Sequence, residues 1–72
     1  MVNYYKSFKK FCDSQKLHGQ KILLDEFESK LKIFFGFGGR NKTVNRWVGN
    51  FEDVGLIKII KDIDGVWFVE VL

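Results

Sequence analysis

The side chains best suited to recognising another molecule concentrate between residues 36 and 50. That stretch holds Arg40, Lys42 and Arg46 and no acidic residue. Arg46 has the planar donor fork that pairs with guanine N7 and O6, and Asn45 and Asn50 have the donor and acceptor pair that matches adenine N6 and N7. Arg40, Asn41, Lys42 and Thr43 offer donors of the kind that hold phosphate oxygens, which carry register rather than sequence information. Further along, Lys58 and Lys61 flank a turn whose tip holds Asp62 and Asp64. A tip with two carboxylates repels phosphate, so contact is expected from the flank alone, or the hairpin serves only to close the core.

Other chemistry is weakly represented. Cys12 is the sole cysteine and His18 the sole histidine, too few ligands for structural zinc and none to spare for a disulfide. Cys12 falls on an apolar face and is expected to be buried and inert. His18 has no evident nucleophile or acid beside it. Asp25, Glu26 and Glu28 are read as one helix cap and two solvated charges. Gly36, Gly38 and Gly39 precede a helix, but they follow another helix and lack the Gly-Lys-Ser/Thr ending of a nucleotide-binding loop. No catalytic constellation is present, and neither a cofactor nor a small-molecule ligand is expected.

The elements that must hold these residues follow from periodicity. Tyr4, Tyr5, Phe8, Phe11 and Cys12 mark an amphipathic helix over 3–15, with Asn3 as cap and Gly19 as the left-handed stop. Residues 20–24 read as a short strand or an extended lead-in. A second helix begins with Asp25 and Glu28 in the manner of a capping box and runs along Leu24, Phe27, Leu31, Phe34 and Phe35, with Leu23 sharing the buried side. After a link over 36–42, Val44, Trp47, Val48, Phe51 and Val54 mark a third helix over 43–54, capped by Thr43 or Asn41 and ended by Gly55. Residues 56–61 and 66–72 are rich in Ile, Val, Phe and Trp and form a hairpin around Asp64-Gly65. Its register stays open between Ile63 opposite Val66 and Lys61 opposite Val66.

Three helices and a hairpin, with a short strand after the first helix, follow the order of a winged helix. The run Thr43-Val44-Asn45-Arg46-Trp47 through Phe51-Glu52-Asp53-Val54-Gly55-Leu56-Ile57 resembles the recognition-helix signature of winged-helix transcription regulators. Leu24-Asp25-Glu26-Phe27-Glu28-Ser29-Lys30-Leu31 is similar to that family's second helix, and the resemblance spans 21–72. It implies an α+β domain with a three-helix core and a C-terminal wing. It further implies a sequence-specific double-stranded DNA-binding protein whose helix 43–54 enters the major groove, where small Gly49 would permit close approach.

Composition bounds the rest. Seventy-two residues, 46% hydrophobic and 17% aromatic, suffice for a single domain with a dense core. The formal charge of +3 is compatible with nucleic acid. No run of apolar residues is long enough to span a membrane and no signal peptide is evident, so a complete, cytoplasmic and nucleoid-associated product is expected. Two readings compete. One is a transcription regulator, or a replication or recombination accessory factor of a viral or plasmid element, which as a homodimer would read a palindrome. The other is a winged helix used for protein–protein contact, with Tyr4, Tyr5, Phe34, Phe35, Phe37 and Trp67 as candidate contact residues.

Overall fold

The computed structural model describes residues 3–72. The chain is α+β, three helices packed on a small antiparallel sheet in a winged-helix-like arrangement. In order these are α1 (Tyr4–Gln15), β1 (Lys21–Leu23), α2 (Leu24–Phe35), α3 (Asn41–Asp53), β2 (Ile57–Lys61) and β3 (Trp67–Val71). The sheet order is β1-β3-β2. β1 therefore pairs with the last strand, Ile22 opposite Val69, and ties the α1–α2 connection to the hairpin.

The three helices end in the same way. A left-handed residue, Lys16, Gly36 or Gly55, follows each helix at φ 55°, 68° and 80°. The next residue donates its N–H back to the carbonyl five positions earlier, at 3.1 Å for Leu17 to Cys12, 3.0 Å for Phe37 to Lys32 and 2.9 Å for Leu56 to Phe51. This is the Schellman arrangement with its apolar residue just past the helix. The left-handed stop of α1 is thus Lys16 rather than Gly19, which has its positive φ in the turn that follows.

The helix starts differ from one another. Asn3 caps α1, its side chain accepting from the Lys6 N–H at 3.0 Å. Helix α2 begins directly out of β1, with Leu23 at the cap position and no side-chain cap, so Asp25 and Glu28 form no capping box. Asp25 and Glu26 lie inside the first turn instead, where their charge complements the helix dipole. The Glu28 carboxyl is raised above its ordinary value, first by partial burial and then by Asp25, with Lys32 opposing. Helix α3 spans Asn41–Asp53 rather than 43–54, and neither Asn41 nor Thr43 caps it. The α2–α3 link is correspondingly compact, residues 36–40.

Phe11, Phe27, Leu31, Val44, Phe51, Ile57, Val69 and Val71 form the heart of the core. Leu23 and Val54, expected on buried faces, are exposed instead. An aromatic seam fixes the helices relative to one another. Phe8 packs edge-on against Phe51 at 4.8 Å, Tyr4 against Trp47 at 4.9 Å, and Phe11 against Phe27 at 5.5 Å. Phe37, from the link, stacks on Phe35 while Trp47 lies against both. The link is therefore anchored at its apolar residue, and that anchor fixes how α3 leaves α2. Most of the aromatic excess is spent on this seam.

The hairpin adopts neither register considered from sequence. Lys61 pairs with Trp67, and the Asp62 N–H donates to Val66 O at 2.9 Å. The loop is then residues 63–65, closed by the Gly65 N–H to Asp62 O, with Gly65 at φ 82°. A three-residue loop of this kind, ending in a left-handed glycine, is the common alternative to a two-residue turn. The Asp62 carboxylate stabilises it by accepting from the N–H groups of Asp64 and Val66 at 2.9 and 2.8 Å.

Candidate nucleic-acid interface

Helix α3 buries Val44, Val48 and Phe51 and half-buries Trp47, which leaves the opposite face outward. At the helical period, Lys42, Asn45, Arg46 and Gly49 fall together on that face. Lys42, Asn45 and Arg46 are exposed. Thr43 and Asn50 lie on its flank and are half-buried. Arg40 occupies the cap position and Asn41 the first turn, both exposed. The structure thus brings Lys42, Asn45 and Arg46 onto one surface, with Arg40 and Asn41 at its leading end.

Three features of α3 do not serve the helix itself. Gly49 sits mid-helix, where glycine is disfavoured by about 1 kcal/mol against alanine. Nothing lies within 4 Å of where its Cβ would be, so internal packing does not demand the small residue. The helix also lacks a side-chain cap and first-turn acids, which leaves the Lys42 and Thr43 N–H groups open to an external anion, while that of Asn41 donates to Gly39 O at 2.9 Å. Its charges run against the dipole as well, with Lys42 near the start and Glu52 and Asp53 at the end. In α2, by contrast, Asp25 and Glu26 supply the anion from within the chain.

The wing contributes less than its two lysines suggest. Side chains alternate along a strand. Ile57 and Ile59 point to the core and Lys61 shares their face but is exposed at its end, while Lys58 and Ile60 point to the other side, opposite Glu70 and Phe68. Lys58 and Lys61 therefore occupy opposite faces, and one flank of the wing presents only one of them. The Lys61 ammonium lies 5.5 Å from the Trp67 ring, a cation–π contact.

Two features escaped the sequence reading. His18 is partnered: its Nε2–H donates to the Asp13 carboxylate at 2.7 Å, with both side chains about half exposed. No periodic signal couples a helix residue to one beyond its cap, but the left-handed turn at Lys16 folds His18 back. The second is a cleft of about 270 Å³ lined by Leu23, Leu24, Asp25, Gly65, Val66 and Trp67, where the wing tip meets the start of α2. Pairing β1 with β3 creates it, a long-range fact without local signature.

Cys12 is fully buried, and burial, reinforced by Asp13, pushes its thiol up to about 12. Such a thiol is protonated at neutral pH and a poor nucleophile. Among the described residues no group of three or more His, Cys, Asp or Glu could hold a metal ion, and no helix is long and apolar enough to cross a membrane. Comparison with family models, with characterised proteins and with solved structures finds no match to this chain.

Proposed function

We propose that this chain is a sequence-specific double-stranded DNA-binding protein of the winged-helix type that inserts α3 into the major groove. The observation that carries this reading is the outward face of α3: Lys42, Asn45 and Arg46 around a mid-helix glycine with open space above it. A major groove about 12 Å wide admits one helix, and a glycine lets the helix axis come nearest the base edges. Arg46 pairs with guanine and Asn45 with adenine. Arg40, Asn41, Lys42 and Thr43 hold phosphates around the free N–H groups of α3, and Asn50 contacts the groove from the flank. Lys61 or Lys58 touches the backbone from whichever side of the wing faces the duplex.

In this reading the protein is a binding factor without catalysis. It acts in the cytoplasm on the nucleoid, as a transcription regulator or as an accessory factor in replication or recombination of a mobile element. Selection from randomised duplexes tests it. The wild type enriches one short site, and Arg46→Ala loses the preference at one base pair, worth about 1–3 kcal/mol. Pools that remain random would overturn sequence-specific recognition.

A protein–protein role is favoured by one observation, the cleft at the wing tip. Leu23, Val66 and Trp67 around it are 44%, 40% and 48% exposed, an apolar cluster at the rim of the fold. A homodimer through this cluster would combine both readings. Sedimentation of the wild type and Trp67→Ala separates them: a dimer lost on substitution supports the contact, and a monomer in both removes it.

A further inference from the structure

The charge of this protein is not spread over its surface. Of the twelve basic and nine acidic residues, α1 and its left-handed cap hold Lys6, Lys9, Lys10 and Lys16 against Asp13 alone. That balance equals the net +3 of the whole chain, and the remaining eight basic residues are matched by eight acidic ones. Lys6, Lys9 and Lys10, at i, i+3 and i+4, share the face turned away from Phe8, Phe11 and Cys12, and all are exposed. The one acid on that arc, Asp13, already accepts from His18 at 2.7 Å. Among the described residues no carboxylate lies within ion-pair distance of any lysine of α1.

A solvated helix ordinarily intersperses acids and bases three and four positions apart, and like charges at that spacing repel. Here Lys6 faces both Lys9 and Lys10 across one turn, and the first turn contains no acid to offset the dipole. The lysine face is also distinct from the outward face of α3. The two helices meet through Tyr4 with Trp47 and Phe8 with Phe51, and each turns its charged side away from that seam.

We propose that the lysine face of α1 grips the phosphate backbone of a second duplex segment, so that one chain bridges two duplexes. The first duplex is the one held by α3, so the bridge rests on the function proposed above. The occupant follows from charge complementarity: an unneutralised row of ammonium groups, with the exposed Tyr5 as the one ring beside it and no amide or guanidinium to read a base edge, suits a regular polyanion held without sequence preference.

The test measures two quantities on the full chain. One is the affinity for a single short duplex by fluorescence anisotropy. The other is capture of a labelled duplex on beads carrying an unlabelled one. The variants are Lys6→Gln/Lys9→Gln/Lys10→Gln and the matching triple arginine variant, with melting by circular dichroism as the folding control, since Lys, Arg and Gln have similar helix propensity. The glutamine variant is expected to keep single-duplex affinity within about twofold while bridging falls at least about tenfold, and the arginine variant to retain both. Bridging unchanged in the glutamine variant would overturn the proposal and assign bridging to an α3-mediated dimer. An equal loss of both quantities would overturn it too, by placing the lysines in the first interface. Failure of the α3 reading shows separately, as single-duplex affinity indifferent to Lys42→Ala and Arg46→Ala.

Discussion

At the residue scale, Gly49 separates stability from function. Because no atom lies within 4 Å of its missing Cβ, Gly49→Ala should fit without strain and stabilise the helix by about 1 kcal/mol, seen as a raised urea midpoint. The same methyl would project from the outward face of α3, so DNA affinity should fall even as stability rises. A variant both more stable and equally tight in binding would show that nothing approaches α3 at that point. Cys12 gives a prediction in pH. Its folded thiol titrates near 12, against an ordinary 9.0. A group whose pKa is raised by folding contributes its stabilisation fully below the unfolded value and loses it as pH climbs through the folded one. Wild type should therefore lose stability between pH 9 and 12 relative to Cys12→Ala, and parallel curves for the two proteins would contradict the buried thiol.

At the element scale, the helix ends carry more information than the helices. Lys16 bears a Cβ in the left-handed region, which disfavours it by about 1–2 kcal/mol, and Lys16→Gly should recover about 1 kcal/mol after the added freedom of the unfolded chain. A melting temperature that does not rise would argue against the cap. The wing tip yields a paired prediction. Asp62→Ala removes the acceptor of two backbone N–H groups and should destabilise the domain by about 1 kcal/mol. Asp64→Asn leaves those bonds intact and should modestly tighten DNA binding by removing an unengaged negative charge. Much of this was legible beforehand. The 3.6 period of Val44, Trp47, Val48 and Phe51 revealed α3 and its outward face, and Gly55 followed by Leu56 revealed its end. The start of α1 was legible in Asn3, but those of α2 and α3 were not: α2 begins straight out of a paired strand with Leu23 at the boundary, and Arg40 precedes α3 without a side-chain cap. The stop at Lys16 was hidden because apolar Leu17, rather than a glycine, is its only mark. The hairpin register was missed because the Asp62 side chain stabilises a three-residue loop that Asp64-Gly65 alone does not suggest.

At the scale of the whole molecule, exposed bases gather on two surfaces, Lys6, Lys9 and Lys10 on α1 and Lys42 and Arg46 on α3. Net charge alone pointed only weakly to nucleic acid, because acids in α2, the end of α3 and the wing tip offset most of the bases. Among the described residues none of those acids lies within ion-pair distance of a basic residue of α1 or α3. The proposal that α3 meets DNA through Lys42 and Arg46 is tested by duplex binding in fluorescence anisotropy across a salt series, for wild type, Lys42→Ala and Arg46→Ala. The expected result is binding that weakens as salt rises, a slope shallower by about one in Lys42→Ala, and an affinity loss of about 1–3 kcal/mol in Arg46→Ala on the preferred site. Binding unaffected by either substitution, or no binding even at low salt, would contradict it.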